Sequence, residues 1–171
     1  MEPFEQPQPS NKTKAEVAKV AEAYAKEVDF MPGDRIEPLI ERLGGCVTYL
    51  RSLESIEATD GSLLVYGPRN FEIKVSAFTG PERDLFTIAH ELGHYVLHSD
   101  RGNKRIKAAR FGSDRVEWEA NWFAAGFLMP EEDFRLTCAK CERNPSLVAA
   151  RYMVSPKAAQ VRMLSLSLAP L

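Results

Sequence analysis

The stretch FTIAHELGHYVLH, Phe86 to His98, decides how this chain is read. Ile88, Ala89, Leu92, Val96 and Leu97 flank its polar residues and predict a helix buried on most of its surface. Residues four apart on a helix share a face, offset by about 40° and about 6 Å along the axis. His90 and His94 therefore aim two imidazoles at one point. Zinc accepts neutral imidazole nitrogens. Glu91 follows the first histidine and is placed to reach a water at the metal rather than the metal itself. That is the position of the general base in a metalloprotease. Polar side chains buried at this spacing need partners, because an unpaired one is costly in an apolar setting. Gly93, inside the helix, costs roughly 1 kcal/mol relative to alanine, which predicts that another segment packs closely there.

Outward from this core, Pro81 suits a first helical turn, with Glu82 and Asp84 near the positive end of the dipole. The helix is expected over Pro81 to about His98. Side chains at 90, 94 and 98 fan over about 12 Å, too far for one ion. His98 is therefore expected as a charged histidine at the helix C-terminus. A catalytic zinc keeps three protein ligands and one open position, so the third ligand must come from another element. The next helix carries VEWEANWFAAGFLMP, Val116 to Pro130. Ala120, Ala124 and Ala125 permit close helix approach. Glu117 and Asn121 are four apart and share a face, whereas Glu119 lies about 200° around from Glu117. Only one of the two carboxylates can face the metal. Glu117 is the preferred ligand. Asn121 is then placed to accept a hydrogen bond from the other ring nitrogen of a ligand histidine. Glu119 is the fallback ligand, and otherwise a solvated or cap-proximal carboxylate. Trp118 and Trp122 are expected to pack in the helix interface.

The rest of the chain frames this site. Residues 1–11, rich in Pro, Gln and Glu, read as a disordered tail. Residues 12–171 read as a single domain, with a core over about 12–130 and C-terminal helices over 131–171. Helices are expected from Lys12 to about Glu27 and from about Asp34 to Leu43, the second stopped by Gly44-Gly45. Cys46–Leu50, Ser62–Tyr66 and Phe71–Ala77 are rich in β-branched and aromatic residues and predict a small, mainly antiparallel sheet. Further helices are expected over Glu131–Thr137, Pro145–Tyr152 and Ser155 to about Leu166, with Ser155-Pro156 a cap and first turn. The fold class is α+β.

Composition narrows the function. The 171 residues are 44% hydrophobic and 27% charged, with a net charge of -2. That balance gives no general pull toward nucleic acid or anionic lipid, so direct nucleic-acid binding is not expected. Three cysteines do not make a disulfide framework, and Cys138 and Cys141 alone cannot fill a structural zinc site. No apolar run is long enough for a membrane span, and the N-terminus lacks a secretory signal. A cytoplasmic protein is expected. Arg101, Lys104, Arg105, Lys107, Arg110 and Arg115 make the loop after the helix basic, which reads first as a solvated loop and second as a patch for an acidic partner or repressor-bound DNA.

The two strings FTIAHELGHYVLH and EWEANWFAAGFLMP, joined by a polar loop, resemble the ImmA/IrrE family of metallopeptidases. The second string is similar to the family's E-x-x-A-N/D-x-F-A-x-x-L-x-P pattern, which supports Glu117 over Glu119. The VSPKAAQVRM segment near the C-terminus and the strand before the active helix add to the likeness. The resemblance covers roughly residues 15–165. It implies a gluzincin-type zincin fold with Zn2+ on two histidines and one glutamate. It also implies a zinc endopeptidase that cleaves a helix-turn-helix repressor, derepressing genes of a mobile element, prophage or stress response. With the sequence ending at Leu171, the short ImmA-like form without a sensor domain is expected. An extended substrate is expected to pair along Phe71–Ala77, and Tyr152 and Arg162 are candidates to stabilise an oxyanion. The alternative is a regulator that binds its repressor partner without cutting it, with the metal structural or absent. An intact Glu91 argues against that alternative, since a pure binder needs no general base.

Overall fold

In the computed structural model, residues 2–51, 61–109 and 114–169 are described. The chain forms α1 (Lys14–Glu27), α2 (Glu37–Arg42), β1 (Gly45–Leu50), β2 (Ser62–Gly67), β3 (Asn70–Ser76), α3 (Pro81–Leu97), β4 (Lys107–Ala109), α4 (Asp114–Leu128), α5 (Glu131–Lys140), α6 (Pro145–Tyr152) and α7 (Pro156–Ser165). This is an α+β fold with seven helices and one four-stranded sheet among the described residues. Local chemistry sets several boundaries. Thr13 and Glu16 form a reciprocal capping box at the start of α1. Ser155 accepts from the Ala158 N–H at the start of α7. Gly44, at φ +86°, ends α2 in the left-handed region, and a Cβ there would collide with the Arg69 carbonyl.

The sheet is mixed, in the order β1-β3-β2-β4. β1 runs parallel to β3, while β3 with β2 and β2 with β4 are antiparallel. On β3, Phe71, Ile73 and Val75 are buried while Glu72 and Lys74 are partly exposed, so alternation was a sound guide to its faces. Its place was not. β3 has a neighbour on each side, so its backbone groups are already paired and the expected substrate strand along Phe71–Ala77 cannot form there.

The long helix α3 lies against this sheet, and the Phe71 ring stacks on Tyr95 at 4.2 Å. Every α3 residue from Thr87 to Val96 is buried. On its other side α4 packs closely, and α1 packs on α4 in turn. Phe30, Phe123 and Phe127 stack between them, with centroids 4.7 Å and 5.7 Å apart. Gly93 marks the closest approach of α3 and α4. A Cβ there would sit 3.1 Å from Phe123 Cβ and 3.2 Å from the Ala120 carbonyl oxygen. Close packing at this glycine is what its presence in the helix predicted. Gly93→Val is therefore expected to lower the free energy of unfolding by about 1–3 kcal/mol in urea denaturation. A variant as stable as the parent would mean that the two helices part at no cost.

Two expectations about the periphery change. The segment expected as a disordered tail lies against the body of the protein. The Glu5 N–H donates to the Arg105 carbonyl, and the Glu5 carbonyl accepts from Lys107. Phe4 packs edge-on against Tyr66 at 5.7 Å, under the Arg105 guanidinium. Trp118, expected in the helix interface, is 53% exposed, because the buried face of α4 is the one carrying Val116, Ala120, Phe123, Ala124 and Phe127.

Candidate metal centre

The site is built where α3 and α4 cross. α3 presents His90 and His94, both buried, from consecutive turns. α4 supplies Glu117 from its first turns. Because the helices touch at Gly93, the Glu117 carboxylate reaches both rings. His90 Nε2 lies 3.1 Å from Glu117 Oε2, and His94 Nε2 lies 3.3 Å from Glu117 Oε1. The two Nε2 atoms are 3.1 Å apart. Among the described residues these three side chains form the group that could hold a metal ion.

The donor set fits a small divalent cation. Tetrahedral donors at about 2.0–2.1 Å from one ion stand about 3.3–3.4 Å from each other, close to the three separations here. Two neutral imidazole lone pairs held 3.1 Å apart repel unless a cation or a proton lies between them. Each ring's other nitrogen is already engaged. His90 Nδ1 lies 2.8 Å from Asn121 Oδ1, and His94 Nδ1 lies 2.9 Å from His98 Nδ1. An amide oxygen only accepts, so His90 carries its proton on Nδ1 and keeps a lone pair on Nε2.

Electrostatics agree. Burial would raise the Glu117 carboxyl, but the close approach of the His90 and His94 rings outweighs it and holds the group well below the ordinary range. Burial drives the His94 imidazole down to about 4, so near neutral pH it is uncharged and able to act as a ligand. Burial also opposes charge on His90, yet the adjoining Glu117 and Glu91 carboxylates raise it, favouring a positive charge, a proton or an ion, at this point. Carboxylates on either side make this hollow favourable for positive charge.

Glu91 is buried and stands outside the three-donor group. A Cβ on Gly61, just ahead of β2, would come 3.0 Å from its Oε1, so the carboxylate lies at the sheet side of α3. Beside the crossing, a groove of about 890 Å³ passes Thr87, Asn121, Trp122, Met129 and Val161.

Glu119 is neither a member of the donor group nor a solvated carboxylate. It is fully buried, 2.9 Å from His98 Nε2. Burial would raise it, but hydrogen bonds from His98, Ser10 and Arg115 bring it down to about 2. His98 is likewise not a charged residue in solvent. It is buried, and burial lowers it. No local signal in the sequence marks this pair, because Glu119 also meets the backbone of residues more than a hundred positions away.

The remaining candidates are occupied elsewhere. The Tyr152 hydroxyl bonds to Asp133 at 2.6 Å and to Thr137 at 3.0 Å, with its ring in the core. The Arg162 guanidinium donates twice to the Met129 carbonyl. In the basic loop, Arg101 pairs with Glu27 over the Tyr24 ring, and Arg115 pairs with Glu119 over Trp122. Arg110 lies outside the described residues. Cys138 and Cys141 are free thiols. No described helix is long and apolar enough to cross a membrane.

A family model described as Peptidase_M78, IrrE N-terminal-like domain, matches residues 40–164. The fold is similar to that of a Mycobacterium tuberculosis transcriptional regulator, with a TM-score of 0.65 and 20% sequence identity. The likeness covers 90% of this chain and 47% of that one, so the chain spans about half the length of the regulator. No curated protein matches the sequence.

Proposed function

The chain belongs to the IrrE N-terminal-like peptidase family, and from that premise we propose that it is a zinc-dependent endopeptidase with His90, His94 and Glu117 as metal ligands and Glu91 as general base. The observation that carries this reading is the convergence of two imidazole Nε2 atoms and one carboxylate at separations of 3.1–3.3 Å. Two nitrogen donors and one oxygen donor suit zinc.

A zinc ion held there supplies Lewis acidity, polarising a carbonyl oxygen and lowering the pKa of water beside it. The chain's own residues do the rest. Glu91 takes a proton from the attacking water and returns it to the amine that leaves as the peptide bond breaks. Asn121 holds His90 in the tautomer that keeps a lone pair on Nε2. The groove past Trp122 and Val161 receives the polypeptide on one side of the scissile bond.

The substrate proposed is a helix-turn-helix repressor in the cytoplasm. Family membership supports a protein substrate, and the structural relative is itself a transcriptional regulator. Incubation of the zinc-loaded protein with a repressor encoded beside its gene is expected to yield two fragments. Their masses should sum to that of the repressor plus one water. An uncut repressor under these conditions would favour the non-cleaving regulator.

A further inference from the structure

Glu119 has an unusual set of partners for a side chain with no exposed surface. Its Oε2 accepts from His98 Nε2 at 2.9 Å and from the Ser10 backbone N–H at 2.9 Å. Its Oε1 accepts from the Asn11 backbone N–H at 3.0 Å and from Arg115 Nε at 3.1 Å. Arg115 also donates to the Lys12 carbonyl. Two of the four donors, and the anchor for a third, therefore come from the N-terminal segment. Without them a carboxylate would be buried with its lone pairs unfilled, which is costly.

The same carboxylate leads to the candidate metal centre. A carboxylate only accepts, so the His98 proton sits on Nε2 and His98 Nδ1 is bare. His94 Nδ1, 2.9 Å away, must then donate, which leaves the His94 lone pair on Nε2, facing Glu117. Each bond in this row fixes the direction of the next.

We propose that the N-terminal segment is part of the metal centre: the Ser10 and Asn11 N–H groups, through Glu119 and His98, hold the His94 ring in the orientation and tautomer that present Nε2 to the ion. The proposal rests on the zinc reading above. His98 and Glu119 are positioning residues, since neither joins the donor group. Outer partners of ligand histidines typically contribute about 10–100-fold in metal affinity. The segment is held at a second point, where Glu5 bridges Arg105 and Lys107, so its docking spans most of its length.

Coupling of this kind is reciprocal: the segment must tighten the metal by the same factor by which the metal tightens the segment. The test titrates the metal-free full-length protein with Zn2+ against a chromophoric chelator. Ser10→Pro removes the backbone donor, whereas Ser10→Ala keeps it and loses only the hydroxyl. Ser10→Pro and Glu119→Gln are expected to weaken zinc binding about 10–100-fold, with Ser10→Ala losing less than Ser10→Pro, because the hydroxyl is the weaker of the two Ser10 bonds to Glu119. Hydrogen exchange of the Ser10 and Asn11 amides in the wild type is expected to slow by a similar factor on adding Zn2+. A merely structural contact would not make that exchange depend on zinc. Wild-type affinity in Ser10→Pro, with amide exchange indifferent to zinc, would overturn the proposal and leave the metal site standing. A wild-type protein that binds no zinc would overturn both.

Discussion

Replacing Glu91 by glutamine lowers peptide-bond cleavage by about 10²–10⁴-fold, the contribution of one general base, and leaves the metal bound. Two features of the site separate these effects. Glu91 follows His90 directly, so it lies about 100° around the helix from it, and the three-donor group forms without it. Glutamine has nearly the same shape, so a buried position with 3% exposure accepts it without repacking. What it lacks is the ability to take a proton. The expected pattern is unchanged zinc stoichiometry, an unchanged thermal midpoint and no fragments. Cleavage at the parent rate would show that another group takes the proton.

Replacing Glu117 by alanine acts on the other half of the machinery. It leaves two imidazoles facing one another with no anionic donor, and zinc affinity falls by more than the about 10–100-fold lost with an outer partner. Stability reports the same loss. An ion present at about a thousand times its dissociation constant stabilises the folded state by about 4 kcal/mol. For a domain of this size that raises the midpoint by about 8–16 °C. A chelator is therefore expected to lower the wild-type midpoint by about that amount and to move Glu117→Ala by about a third of it or less. An equal chelator shift in both proteins would place the ion away from Glu117.

The contrast between Glu117 and Glu119 shows what the sequence could carry. Spacing within one helix is fixed by its geometry, so the shared face of His90 and His94 was legible from their numbers alone. So was the shared face of Glu117 and Asn121, and the structure brings Glu117 to both rings and Asn121 to His90. The meeting of the two helices was hinted at by Gly93, a residue that only close contact explains. The partners of His98 and Glu119 had no such marker. They depend on a segment rich in proline and glutamine folding back onto α4, and its composition reads as disorder. Strand order was hidden for the same reason. Alternation along Phe71–Ser76 reveals which face is buried, but not which strands lie alongside, because pairing is decided between segments far apart in sequence. Of the arginines that read as a basic loop, Arg101, Arg105 and Arg115 are absorbed by Glu27, Glu119 and the rings of Tyr24, Phe4 and Trp122.

Diffraction from zinc-grown crystals, recorded on either side of the zinc absorption edge, locates the ion without reference to activity. A single anomalous peak is predicted at the crossing of α3 and α4, about 2.0–2.2 Å from His90 Nε2, His94 Nε2 and a Glu117 oxygen. An empty crossing, or a peak held by other side chains, would contradict it.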